Sequence, residues 1–127
     1  MAARILVVED SRIMRQMVRD ALAADDYEIH EREDGRQGLD AVSTVAPDLI
    51  ITDVNMPEMD GLALVRAVRQ LPAFRFTPVI VLTTESAEDM KQSGRAAGAT
   101  GWIVKPFVPE QLREVVARVL DARLIRR

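Results

Sequence analysis

"LIITDVNMPEMDG", residues 49–61, is an apolar run that stops at a carboxylate. Leu49, Ile50 and Ile51 follow one another without the alternation of a half-buried strand, and the run is too short for a helix. This is how a parallel strand covered on both faces reads. Thr52 and then Asp53 come after it, followed by Asn55 and by a turn containing Met56, Pro57 and Gly61 that leads into a helical period. A core strand built this way delivers Asp53 to the place where the sheet stops and solvent begins.

On either side of this stretch the same kind of run recurs, at residues 5–8 and 79–82, and in shorter form at 102–104. Residues 28–32, Glu-Ile-His-Glu-Arg, read as a more polar strand, which suits a sheet edge. Helical periods lie between the strands. Ile13, Met14, Met17, Val18 and Ala21 form the first, Leu39, Val42, Val45 and Ala46 the second, and Leu64, Val65, Val68 and Leu71 the third. Leu112, Val115, Val116, Val119 and Leu120 form the last and most regular. Start signals agree: Asp34 with Gln37, Ser86 with Asp89, and Pro109 at a first helical position. The helix expected after Ser86 offers only Met90, Gly94 and Ala97 as an apolar stripe, so it is expected to pack thinly and to shift easily. Alternation of strand and helix repeated five times predicts an α/β fold: a five-stranded parallel sheet, doubly wound and flavodoxin-like, with helices on both faces. The order 2-1-3-4-5 places the polar second strand at an edge. It also puts the site beyond the carboxyl ends of the strands, near the switch point between strands 1 and 3.

The bulk properties fit one domain spanning residues 1–127, with 48% apolar and 29% charged residues and a formal net charge of −3. That balance argues against a nucleic-acid binder. Absence of Cys excludes disulfides and thiolate metal sites and suits a reducing compartment, and no signal-like or membrane-length apolar segment is seen, so a cytoplasmic protein is expected. Arg123, Arg126 and Arg127 read as a solvated helix end.

Chemistry-bearing residues collect at the strand ends. The first strand ends in Glu9 and Asp10, the third in Asp53, the fourth in Thr83 and Thr84, the fifth in Lys105 and Pro106. Singly, each has a structural reading; Asp10 or Ser11, for example, could simply cap the first helix. Together they bring three carboxylates, a hydroxyl and an ammonium to one edge of a parallel sheet. Such oxygen clusters host Mg²⁺, which takes one or two carboxylates plus waters and phosphate oxygens. A lysine and a threonine can hold a phosphoryl group, and an aspartate can accept one as an acyl phosphate. The set therefore points to phosphoryl transfer onto a carboxylate.

Through "RILVVEDS", "LIITDVNMPEMDG", "PVIVLTTES" and "GATGWIVKPF" the chain resembles, over nearly its whole length, the receiver domain of two-component response regulators, and among these the single-domain, chemotaxis (CheY-like) type. The resemblance implies that Asp53 is the phosphoacceptor. It implies that Asp10, Asp53 and the backbone carbonyl of Asn55 ligate Mg²⁺ directly, with Glu9, where many members have a second aspartate, acting through water. Thr83 and Lys105 are then expected to meet the phosphoryl group, with a cis bond before Pro106. Trp102, three residues before Lys105, takes the position of the switch aromatic. Asn55 and Glu85 match positions that govern access of the hydrolytic water and so the phosphoryl lifetime. His30 is assigned no role.

The resemblance further implies a phosphoacceptor switch rather than an enzyme, one that assists its own phosphorylation and dephosphorylation. A histidine kinase phosphorylates it, and the face formed by the helix after Ser86, the fifth strand and the last helix changes affinity for a target. A full-length protein ending at Arg127 would act by protein contact. The implied partners are the kinase, a flagellar motor switch protein and a phosphatase, with no nucleic acid and no membrane, and the chain is expected to be a monomer. A phosphorelay shuttle or phosphate sink would carry the same motifs, as would a receiver that only docks. An aspartyl-phosphate phosphatase of the haloacid dehalogenase type is disfavoured. It needs a D-x-D pattern on the first strand, whereas this chain has Asp53-Val54-Asn55 on the third. An FMN-binding flavodoxin is disfavoured because the loop after the first strand is acidic where phosphate binding wants Ser, Thr and Gly amides.

Overall fold

A computed structural model describes residues 2–84, 92 and 97–125. The chain runs β1 (Arg4–Val8), α1 (Arg12–Leu22), β2 (Glu28–Arg32), α2 (Gly35–Val45), β3 (Leu49–Asp53), α3 (Gly61–Gln70), a 3₁₀ turn at Pro72–Phe74, β4 (Val79–Thr83), β5 (Gly101–Val104) and α4 (Pro109–Ile125). The five strands form one parallel sheet in the order β2-β1-β3-β4-β5, as expected, with the polar β2 at an edge. The anticipated helix after Ser86, with its Met90 and Gly94 stripe, lies outside the described residues, as do the side chain of Arg123 and the whole of Arg126 and Arg127.

Every residue of β3 and β4 is buried, because both strands are paired on two sides and covered on two faces. Successive side chains leave a strand on opposite faces, so each apolar run feeds two cores. Ile5, Val7, Leu49, Ile51, Ile80, Leu82 and Ile103 pack with Val18 and Leu22 of α1 and Leu112 and Val116 of α4. Leu6, Val8, Ile50, Val79 and Val81 pack with Val42 and Val45 of α2 and Leu64, Val65 and Val68 of α3. Continuous apolarity in the sequence is thus the sum of two interleaved faces.

The strands extend past the apolar runs. Asp53 stands opposite Leu82 and Thr83 opposite Val104, because ladder pairing is a backbone property that continues after the side chains turn polar. Helix starts are capped by side chains: Ser11 Oγ accepts from the Met14 amide, Asp34 from Gln37 and Asp60 from Ala63. Ser11, rather than Asp10, caps α1, which leaves the Asp10 carboxylate for other work.

Two glycines are required by close approach. A Cβ on Gly61 would lie 2.0 Å from the Asp53 carbonyl oxygen, and one on Gly35 would lie 2.1 Å from the Met59 carbonyl oxygen. Both contacts pack a helix start directly onto backbone at the exit of β3. On the same face of the sheet, Arg69 of α3 donates from Nε and Nη2 to the Gly98 carbonyl at 3.1 and 2.9 Å and from Nη1 to the Thr77 carbonyl at 2.6 Å. Burial lowers the pKa of this guanidinium. Among the described residues, no helix is long and apolar enough to cross a membrane.

Candidate functional site

Because all five strands are parallel, their carboxyl ends share one edge, and the fold brings Glu9, Asp10, Asp53, Thr83 and Lys105 there. Asp53, the last residue of β3, is 6% exposed. It is held by Thr52, whose hydroxyl donates to the Asp53 carbonyl at 3.0 Å, and by the Val54 amide, which donates to Leu82 at 3.2 Å. Lys105 follows β5; its amide donates to the Thr83 carbonyl at 2.6 Å, and the bond to Pro106 is cis. From there its Nζ reaches Asp53 Oδ1 at 2.8 Å and Glu9 Oε2 at 3.5 Å. Lys105 thus bridges the fifth strand to the third and first.

Glu9 is buried beside this pair, its Oε1 accepting the Ser11 amide at 3.1 Å. Its Oε2 is buried with no hydrogen-bond partner among the described residues. Burial, and then the neighbouring Asp53 charge, push its pKa from the ordinary 4.5 up to about 7, against the opposing pull of Lys105. Asp10 is exposed, and Glu9, Asp10 and Asp53 each present an oxygen within 4.8 Å of the others. When all three are ionised, Lys105 leaves two negative charges uncompensated. A buried oxygen without a hydrogen bond, a surplus matching a divalent charge and one solvent-facing carboxylate fit a hard, oxygen-seeking cation that keeps several waters.

Thr83 is fully buried at the end of β4. Asn55 is exposed in the turn after β3, and Glu85 lies outside the described residues. Trp102 is half-buried, packed against the core that contains Val81 and Ala97. It pairs with Val81, so it shares a sheet face with Thr83, two residues farther along β4. His30 lies on β2 and meets Glu28 at 2.8 Å, apart from the acidic edge. Sequence reasoning passed over Arg15, whose guanidinium donates to the carbonyls of Glu9 and Asp10 at 2.7 and 3.3 Å. Its targets are backbone atoms, so no partner residue type announces it.

Known proteins share this fold. The chemotaxis response regulator CheY4 of Vibrio cholerae superposes with a TM-score of 0.88 at 46% identity, over 94% of this chain and 99% of that one. The receiver domain of sensor histidine kinase PA1611 from Pseudomonas aeruginosa PAO1, which has a magnesium ion coordinated in its active site cleft, superposes with a TM-score of 0.87 at 25% identity, over 95% and 99% of the two chains. Response regulator MprA of Mycolicibacterium vanbaalenii is 37% identical over 112 residues, covering 88% of this chain, which spans only 48% of that longer protein. Residues 5–117 match the response regulator receiver domain, and it is to this family of phosphoacceptor switches that the chain belongs.

Proposed function

We propose that the chain is a cytoplasmic, phosphorylation-activated switch whose phosphoacceptor is Asp53. The observation that carries this reading is the 2.8 Å contact of Lys105 Nζ with a carboxylate that also belongs to a three-acid cluster at the carboxyl edge of the sheet. An oxygen of Asp53 attacks the phosphorus of a phosphohistidine on a histidine kinase; the P–N bond breaks, its electron pair stays on the imidazole, and an acyl phosphate forms. Asp10, Asp53 and the Asn55 carbonyl would hold Mg²⁺, with Glu9 acting through water. When bound, the ion would supply charge neutralisation for the phosphoryl oxygens. Lys105 stays with Asp53 throughout and exchanges a carboxylate contact for a phosphoryl oxygen. Thr83 donates a hydrogen bond to the same group. Trp102, on the same face of the sheet as Thr83, carries the change toward β5 and α4, and such coupling requires that phosphate favour one of two existing arrangements. Asn55 and Glu85 set how readily water reaches the acyl phosphate, and with it the lifetime of the signal.

The resemblance to V. cholerae CheY4, a chemotaxis response regulator, supports an output in chemotaxis, and the partner proposed for that output is a flagellar motor switch protein. Incubation with acetyl phosphate and Mg²⁺, followed by intact mass, tests the switch itself. One phosphoryl adduct is expected in the wild type and none in Asp53→Ala; an adduct that survives Asp53→Ala overturns the assignment.

A further inference from the structure

Asp10 is the exposed member of the acidic cluster, and its direction depends on the peptide that carries it. That peptide leaves the ladder at the end of β1. The Glu9 amide still donates to the Arg32 carbonyl at 3.0 Å, but the Glu9 and Asp10 carbonyls both turn to Arg15 on α1. The arginine is itself oriented. Its Nε lies 3.6 Å from Glu31 and its Nη2 lies 3.9 Å from Glu33, and Glu31 is held in turn by Arg19 at 2.6 Å. The Arg15 side chain is only 13% exposed, so little water competes for its contacts with the Glu9 carbonyl and Glu31. One planar group therefore reaches two consecutive carbonyls from Nη1 while its Nε and Nη2 face two carboxylates of the β2 side, a combination that a single ammonium cannot reproduce. Fixing two consecutive carbonyls fixes the plane between them, and with it the bond along which the Asp10 side chain departs.

We propose that Arg15 is a positioning residue for Asp10: it holds the Glu9–Asp10 peptide so that the Asp10 carboxylate converges with Asp53, and so sets the affinity of the cluster for Mg²⁺. It does this without touching cation or phosphoryl group. The inference rests on the reading of the acidic cluster as a Mg²⁺ site. Residues that orient ligands from behind typically change metal affinity by about 10–100-fold when removed. The weakening here is expected near the lower end, because Ser11 continues to hold Glu9.

The test is Mg²⁺ binding by titration calorimetry on the purified chain, wild type against Arg15→Met and Arg15→Lys, beside phosphorylation by acetyl phosphate across a Mg²⁺ series. Arg15→Met is expected to bind Mg²⁺ about tenfold more weakly yet to approach the wild-type rate at saturating Mg²⁺, with Arg15→Lys in between. Glu31→Gln, which loosens the β2 side alone, is expected to change affinity less than Arg15→Met. Equal affinity in wild type and Arg15→Met overturns the proposal, as does an equal loss in Glu31→Gln, which would assign the effect to the scaffold. A wild-type chain that binds no Mg²⁺ overturns the site reading and this proposal with it. If Arg15→Met does not fold, the comparison is decided on Arg15→Lys, which keeps the charge and most of the stem; wild-type affinity there overturns the proposal.

Discussion

Replacing Gly61 by alanine would ordinarily stabilise a helix start, since Ala exceeds Gly by up to about 1 kcal/mol in helices. Here the opposite is expected. The new methyl would lie 2.0 Å from the Asp53 carbonyl oxygen, 2.9 Å from its carbonyl carbon and 3.0 Å from the Val54 Cα, and contacts below 3.0 Å are essentially never adopted by real Cβ atoms. The two backbones must therefore separate by about 1 Å before even a tight contact is reached. Neither is free to do so. The Gly61 amide donates to Val54 at 2.8 Å, the Val54 amide to Leu82 at 3.2 Å, and Asp60 caps α3 through the Ala63 amide at 2.8 Å. Overpacking of this kind costs about 1–3 kcal/mol, and loss of the Gly61 hydrogen bond adds roughly 0.5–1.5 kcal/mol. After the helix gain, a net loss of about 1–3 kcal/mol remains. With a urea dependence of about 1.5 kcal/mol/M for a chain of this size, the unfolding midpoint falls by about 0.7–2 M. Because the displaced carbonyl belongs to Asp53 itself, phosphorylation by acetyl phosphate is expected to slow, by up to about 100-fold for a 1 Å displacement. Gly101→Ala is the control, since nothing lies within 4 Å of its added methyl. A Gly61→Ala protein with the midpoint of Gly101→Ala and the wild-type phosphorylation rate would show that the close approach constrains nothing.

In chelator, the pKa of Glu9 gives a signed pH effect. A folded-state value near 7 above an ordinary 4.5 means that the folded chain holds a proton that the unfolded chain has released. Stability from this group is therefore complete below pH 4.5 and is lost as pH rises to about 7. Urea midpoints of Glu9→Gln across that window should fall less than those of the wild type, and parallel curves would contradict the effect. Lys105→Met leaves Asp53 and Glu9 without their shared cation, and is expected to lower stability by about 1–3 kcal/mol in chelator. Saturating Mg²⁺ should narrow the gap, and a gap that does not change on adding Mg²⁺ argues against a common site. Affinity capture with and without beryllofluoride, a phosphoryl mimic, is expected to recover different partners from the parent cell; identical sets would count against switching.

The strands and the acidic edge were legible in the sequence for one physical reason. A strand paired on both sides and covered on both faces must be apolar along its length, so β1, β3 and β4 declare themselves, and the first polar residues after them mark the sheet's rim. Parallel order then collects Glu9, Asp53, Thr83 and Lys105 without further information. The contacts that stayed hidden are those made to backbone. Arg15 to the carbonyls of Glu9 and Asp10, Arg69 to those of Gly98 and Thr77, and the bare Cα of Gly61 against Asp53 all have partners that any residue could supply. The Asp60 cap was obscured because it sits inside the polar turn after β3, where an aspartate already has reason to be.

The strand order has one more effect. Since β3 lies between β1 and β4, Asp53 is flanked by acidic residues on the β1 side and by a hydroxyl and an ammonium on the β4 and β5 side. The site is therefore asymmetric across the sheet, like a relay with separate input and output terminals. Substitutions near β1 should alter how fast charge is loaded, and substitutions near β4 and β5 how faithfully loading is read. The two traits sit on different strands and meet at two groups, the central aspartate and Lys105, which contacts both Asp53 and Glu9.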